Sequence, residues 1–466
     1  MKKRTLVTCL FLILIQTQYG FSQNEEWDLS QPRKTEKAVV QGLIAGGEIL
    51  LINGTFSLVN WASGWPWAFP TANSIQNNFT SSWQWENADG FFVNQLGHPF
   101  QGSLYFNAGR LNGFGFYESI FFSAFGSFAW ETLFESQQAS INDFITTVPG
   151  SVAAGEILYR LYVEAHAAGI PEFLAFFINP VAGIHRLLTD WEPPDSGRNL
   201  HEFRIFTSVG YAETNYSVSE GAQEIFSFSG FFPRAGFEAV YGDPFEQRTF
   251  VPFRHFEFFM SFGTNPGRYN DFRLRSDGYL FSFSPVCTDS DKVSTGLSLL
   301  MDFMWQGEAD IHNATVNQYS NALDWTVKYR HTFSENTAVQ VKGHAGLIFW
   351  GASKYYSADS EIEITELNNY GFGLNTRRFY VFEHNKRNRW EVSRFSYLLW
   401  TYPETSDLQS GFVYWRFTEI SYSHFVSEHI SLGVSCLFSS EVGNFEKQAN
   451  TQKNNSVLEL FVAWNS

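Results

Sequence analysis

Two periodicities divide the chain. From Ala38 to Leu188 apolar residues recur at helical spacing, and from His201 to Ser466 they alternate with polar ones. Ala38–Ala62 (AVVQGLIAGGEILLINGTFSLVNWA) reads as a long helix interrupted by Glu48, Asn53 and Asn60. Gly42, Gly46 and Gly47 thin one face for the approach of another backbone, and Trp61–Pro70 (WASGWPWAFP) ends it. A helix is predicted over Ser103–Phe116, where Ser103, Asn107 and Arg110 form a polar stripe at i, i+4 and i+7. Tyr117–Phe134 continues as a second. Ser140 and Asp143 have the spacing of a capping box, Pro149-Gly150 predict an interruption, and Val152–Ala168 is the next helix, stopped by Gly169-Ile170-Pro171. Two shorter helices follow, broken at Asn179-Pro180, and Trp191–Leu200 is a linker.

Beyond the linker the period is two. Leu297, Leu299, Met301, Phe303 and Trp305 enclose Ser298, Asp302 and Gln306; Leu323, Trp325, Val327 and Tyr329 alternate with Asp324, Thr326, Lys328 and Arg330. About twelve such segments centre near residues 206, 237, 257, 276, 300, 326, 344, 374, 395, 416, 434 and 460. Many run the roughly 9–11 residues that a tilted transmembrane strand needs. Polar clusters at Thr264–Gly267, Ser334–Thr337 and Asn444–Asn455 read as turns.

Composition sharpens this reading. Aromatic residues make up 18% of the 466 residues, with 50 Phe, yet no stretch past the N-terminus holds about 20 unbroken apolar residues. Aromatic richness without long apolar runs suits a membrane β-barrel with interfacial aromatic girdles. Lys2, Lys3 and Arg4 precede an apolar run from Leu6 to Ile15, the form of a secretory signal peptide cleaved near Gln23. Cys9 lies too early in that run for lipid attachment. Cys287 and Cys436 are too few for a disulfide framework and lack metal-ligand spacing. The net charge of −16 argues against nucleic acid as a partner.

No fingerprint of a phosphate loop, a zinc protease, a dithiol site or a serine-hydrolase elbow is present. Inward-facing polar residues such as His255, His344 and His429 follow from polar-in, apolar-out alternation. The helical stretch from His98 to Arg160 differs, because it sets charges among Phe and Gly, which is costly unless they are paired. His98, Ser140 and Asp143 have the residue types of a nucleophile, base and orienter, with Glu131 beside them as a further candidate. The plainer reading has Ser140 capping a helix. Asn107, Arg110, Glu118, Glu156 and Arg160 are expected to form a buried polar network, with Glu118 and Glu131 paired to Arg110 and Arg160. No cofactor or metal is implied.

His98-Pro99-Phe100-Gln101-Gly102-Ser103-Leu104-Tyr105, then Asn107, Arg110, Asn112-Gly113, Trp130-Glu131, Ser140 to Asp143, Gly155-Glu156 and Arg160 resemble a bacterial family of exported proteins. It is catalogued as domain of unknown function 3943, with the pattern HPY-x-GS-x-Y, N-x-x-R-x-NG, WE, PS-x-ND and G-x-x-x-GE. The resemblance covers Trp83 to Leu188, with Phe100 in place of Tyr, Ala139 in place of Pro and Ser151 in place of a second Gly. It implies a location in Gram-negative bacteria more than an activity. The FSQ ending of the signal is similar to those of the Bacteroidetes.

The expected fold is α+β: a signal peptide over 1–23, a mostly helical domain over 24–195 that plugs or caps the barrel, and an antiparallel transmembrane barrel of about twelve strands over 196–466. The expected function is an outer-membrane barrel, structural or transport-related. The alternative is an outer-membrane hydrolase acting on lipid or cell-envelope material. The implied partners are outer-membrane lipid, the barrel-assembly machinery and a small ligand near Trp61–Trp85.

Overall fold

The computed structural model describes residues 38–85, 90–194, 199–218, 223–246, 248–307, 315–357, 365–401, 410–445 and 450–466; the predicted signal peptide lies outside them. Among the described residues seven α-helices precede the sheet: α1 Ala38–Ala62, α2 Ala72–Thr80, α3 His98–Leu111, α4 Phe116–Ala129, α5 Ile141–Ala167, α6 Glu172–Ile178 and α7 Pro180–Leu188. Turns of π-helix at Val93–Gly97 and Trp130–Phe134 lead into α3 and out of α4.

Local signals account for most of these ends. The Thr71 hydroxyl accepts the Ser74 N–H and caps α2, the Ser140 hydroxyl accepts the Asp143 N–H and caps α5, and the Asn179 side chain accepts the Ala182 N–H and caps α7. Two expectations fail. The helix expected over Ser103–Phe116 starts five residues earlier, at His98, and ends at Leu111. Gly113, with φ of 88°, turns the chain there in a conformation that L side chains resist. Pro149 does not interrupt α5, which runs through it for 27 residues. The missing hydrogen bond is outweighed by burial on both flanks: Gly155 receives the Phe106 ring of α3, and Gly150 lies against Pro99 and Tyr319.

The strands are β1 Leu200–Val218, β2 Gln223–Tyr241, the two-residue β3 Arg248–Thr249, β4 Phe256–Asn265, β5 Tyr269–Cys287, β6 Asp291–Gly307, β7 Thr315–Ser334, β8 Thr337–Ser357, β9 Thr365–His384, β10 Asn388–Thr401, β11 Gly411–Phe425, β12 Ile430–Phe445 and β13 Thr451–Asn465. Each of the twelve expected segments falls in one of the long strands. The expected turns overlap the strand ends: Thr264–Gly267 includes the end of β4, Ser334–Thr337 the end of β7 and the start of β8, and Asn444–Asn455 the end of β12 and the start of β13. Neighbouring strands pair antiparallel around the sheet, β1 pairs with β13, and β5 pairs with both β4 and β6, so the twelve long strands form a closed barrel. The strand β3 is appended to β5 outside that cycle.

Alternation decides what faces in. On β6, Ser298, Leu300, Asp302, Met304 and Gln306 point inward, and Leu299, Met301, Phe303 and Trp305 point outward. Inward side chains meet partners far around the barrel. Asp302 on β6 accepts from Arg377 on β9 and Tyr397 on β10, Gln318 on β7 donates to Glu441 on β12, and Asn455 on β13 donates to Gln306 on β6. Leu300, Ile348, Phe395, Leu399, Val413 and Trp415 fill the space between them. A cavity of about 30 Å³ lies beside Asp302, Tyr397 and Trp415, large enough to hold water. His255 and His344 belong to this interior, but His429 sits exposed in the turn before β12, contrary to the alternation argument.

The helices lie outside the barrel, so of the two expected arrangements, plug or cap, the plug is not the one formed. They touch the opposite parity. Phe91, Phe106, Phe116, Val152 and Ile157 share one buried cluster with Ala239, Tyr241, Phe256, Phe258, Leu299, Met301 and Phe303, all outward-facing. The physical reason is volume: the interior is already occupied by the barrel's own side chains.

Candidate functional site

The polar residues of the helical part gather in two places along α5. At its start, His98 Nε2 lies 3.9 Å from Asp143 Oδ1, and Glu131 Oε2 accepts the Ser140 N–H at 2.8 Å. The π-helical turn Trp130–Phe134 aims Glu131 back at the α5 cap, and the similar turn before α3 brings in His98. The four candidates His98, Glu131, Ser140 and Asp143 therefore converge, each at most 5% exposed.

Convergence does not assemble a nucleophile. The Ser140 hydroxyl lies within hydrogen-bond distance of the Trp85 carbonyl (3.1 Å) and of Asn142 Oδ1, and accepts the Asp143 N–H at 3.4 Å. Its single proton is directed to those two oxygens rather than to an imidazole. Asn142 in turn donates to Tyr370 Oη of β9 at 2.7 Å, and Trp350 Nε1 of β8 donates to Thr146 Oγ1 at 2.9 Å. This end of the bundle is thus a fixed joint to the barrel wall. Among the described residues, no group of three or more His, Cys, Asp or Glu has the arrangement of a metal site.

Further along α5, Glu156 is the centre. Its Oε2 lies 2.9 Å from Arg110 Nε and its Oε1 2.8 Å from Arg160 Nε, with all three side chains almost wholly buried. Arg110 also donates to the Phe114 carbonyl and lies over the Tyr159 ring, while Arg160 donates to the Pro252 carbonyl of the barrel. Asn107 joins by donating to the Ser103 and Gly155 carbonyls and accepting from Asn179. Glu118 does not belong: half-buried, it accepts the Gly115 N–H and caps α4. The expected pairing of Arg110 and Arg160 with Glu118 and Glu131 is replaced by their shared pairing with Glu156.

Two groups escaped the sequence reading. Glu48 of α1 accepts from Asn112 at 2.7 Å and lies 2.6 Å from His185 of α7. Tyr105 donates to Asn53, whose amide donates to the Gly126 carbonyl. The polar interruptions of α1 at Glu48 and Asn53 were the available signal; their partners are 48 or more residues away, beyond any periodicity. In the barrel, Arg234 and Arg273 hold Asp271 at 3.0 and 2.7 Å, and Lys342 holds Asp277 at 3.0 Å.

The architecture defines a β-barrel of transmembrane type with a helical bundle on its outer wall. Residues 82–181 match the model of a family described as a domain of unknown function, DUF3943. That segment holds both polar groups around α5. No curated protein matches the sequence. Among solved structures, the chain is similar to the CymD monoaromatic hydrocarbon channel, at 8% identity over 56% of this chain and 88% of the channel, with a TM-score of 0.24. It is also similar to the Pseudomonas putida toluene transporter TodX (9%, 59% and 91%, 0.23) and the NanC porin (9%, 54% and 98%, 0.25).

Proposed function

We propose that the chain is an integral outer-membrane protein whose barrel is a closed scaffold for the helical bundle rather than a standing pore. The observation that carries this is Asp302, which receives Arg377 and Tyr397 from strands three and four places around the barrel. Charges held across an interior packed with Leu300, Phe395 and Trp415 favour a closed lumen, whereas a porin keeps a water-filled one.

Location rests on the wall. Outward positions such as Trp325, Leu347, Leu374, Leu432 and Leu460 are apolar and exposed, and Trp390, Tyr422 and Trp464 lie near one rim. At that rim, turns of two to four residues join β5 to β6, β7 to β8, β9 to β10 and β11 to β12, and both ends of the sheet meet there. The longer connections β6–β7, β8–β9 and β10–β11 lie opposite, beside the three-residue turn from β4 to β5, while the connection from β2 to β4, which carries β3, lies at the first rim. Short turns mark the periplasmic rim of such barrels. Lipid is then the constant partner, and insertion calls on the barrel-assembly machinery.

The experiment is electrical. Folded protein in planar bilayers is expected to pass no steady current; a stable open channel in the unaltered protein would overturn the scaffold reading. Fractionation with the outer membrane and heat-modifiable migration are expected, and recovery as a soluble periplasmic protein would overturn the location.

The convergence of His98, Glu131, Ser140 and Asp143 favours one second reading, a hydrolase of envelope lipid. Its test is release of acyl chains from outer-membrane lipid by wild type against Ser140→Ala and His98→Ala. Release that both substitutions abolish would put the enzyme first.

A further inference from the structure

We propose that the helical bundle itself lies within the outer membrane, its outer surface solvated by lipid acyl chains; this rests on the reading of the barrel as membrane-spanning. The bundle is built inside out for water. Its centre holds Asn53, Asn107, Glu156 and Arg160, while the outer faces of α1 and α4 are apolar and the polar residues Asn73, Gln76 and Asn77 of α2 are exposed. On α1, Val39, Leu43, Leu50, Leu51, Leu58 and Val59 are exposed, Leu51 by 70%. On α4, Tyr117, Phe121, Phe125 and Phe128 are exposed at spacings of four, four and three, so one whole helical face is aromatic and unburied. A water-soluble helix places its apolar stripe against the core and its polar face outward; here that order is reversed. Apolar surface this extensive is not left to water in a soluble protein.

The occupant follows from where the bundle sits. It covers part of the same outward face that elsewhere in the barrel meets the bilayer. Leu299, covered by the bundle and 7% exposed, pairs in register with Leu323, which is uncovered and 39% exposed. Acyl chains against Leu323 and Leu347 therefore continue directly onto the edge of the bundle. The bundle also shares the barrel's depth. The start of α5 is bonded to Tyr370 and Trp350 toward the long-loop rim, and Arg160 near its other end is bonded to the Pro252 carbonyl at the short-turn rim.

α1 fits a crossing. It has 25 residues with a mean hydropathy of 1.5 over its most apolar stretch, most of that stretch unburied. At 1.5 Å per residue it is about 37 Å long, enough for a hydrocarbon layer of about 30 Å. It begins beside Phe114, next to the end of α4 that packs on Phe253, and ends beside the Trp-rich segment at Ala68. Helices satisfy their own backbone groups and so tolerate such a place.

Spin labels would test this in a Cys287→Ser, Cys436→Ser background, with Leu51→Cys, Val59→Cys and Phe121→Cys on the bundle. Leu374→Cys on the bare barrel wall and Asn336→Cys in the β7–β8 turn are the references. Each variant, checked for heat-modifiable migration, is reconstituted into phosphatidylethanolamine–phosphatidylglycerol vesicles and exposed to oxygen and to a water-soluble nickel chelate. The expected result is that the three bundle sites match Leu374→Cys, with oxygen collisions exceeding those of the chelate. Chelate collisions matching Asn336→Cys would place the bundle in water and overturn the proposal. Low collisions with both would mean that protein covers it, and would overturn lipid as the occupant. Should Leu374→Cys itself favour the chelate, the membrane-spanning reading of the barrel fails first.

Discussion

The Arg377 guanidinium on β9 and the Asp302 carboxylate on β6 meet inside the barrel although two strands stand between theirs in the sheet. Tyr397 of β10 donates to the same carboxylate oxygen at 2.6 Å. A contact between neighbouring strands would stabilise only the sheet; this one spans two intervening strands and joins separated parts of the wall.

Arg377→Ala is expected to leave Asp302 buried with only its neutral donor. Breaking a buried pair from one side costs about 3–5 kcal/mol. The melting temperature of the folded barrel should fall, and ion current should appear in bilayers where the unaltered protein shows none. A destabilised barrel that still passes no current would mean that the apolar filling seals it without the pair.

Glu156 serves two guanidiniums, so its loss should exceed the loss of either. Glu156→Ala strands Arg110 and Arg160 together and is expected to cost at least about 3–5 kcal/mol. Arg110→Ala leaves Glu156 with Arg160 and should cost less. The two arginines share a partner, so their single losses should not add. Ser140→Ala, a lost helix cap, should cost about 1 kcal/mol. Equilibrium unfolding of the four variants side by side checks the order.

Gly150 sets α5 close against the wall at Tyr319. A Cβ there would lie 2.5 Å from Tyr319 Oη and 2.7 Å from Pro99 Cβ. Gly150→Val is expected to cost about 1–3 kcal/mol by overpacking and to loosen the bundle while the barrel stays closed. Faster proteolysis within 141–167, with unchanged heat-modifiable migration, is the expected readout; protection equal to wild type would refute the close approach.

Asn142 and Tyr370 form the joint at the other end, at 2.7 Å. Asn142→Ala and Tyr370→Phe are each expected to cost about 1 kcal/mol, and the double variant little more than one of them. A double-mutant cycle with coupling below about 0.3 kcal/mol would show the two sites to be independent.

The alternation of Leu299, Met301 and Phe303 with Ser298, Leu300 and Asp302 located β6, and each of the twelve long strands was legible in the same way, because a strand's period of two is a property of neighbouring residues. The cap at Ser140 and the break at Asn179-Pro180 were legible for the same local reason. The alternation could not say which apolar face met lipid and which met the helices: Leu299 and Leu323 look alike in sequence and differ only in what covers them. Nor could it choose the partners of Arg110, since Glu118 and Glu131 are closer along the chain than Glu156, yet Glu118 turns to cap α4 and Glu131 to meet Ser140. The helices' place outside the barrel was decided at the same level. The charges of α3 and α5 suggested a polar lumen around them, but the packed lumen excludes them and their charges satisfy one another. By itself, then, the chain determined its elements, the closed run of strands and the polarity of each face, all set by neighbours in sequence. Which faces touch was decided by packing among residues tens to hundreds of positions apart, where volume and charge pairing act and local pattern does not.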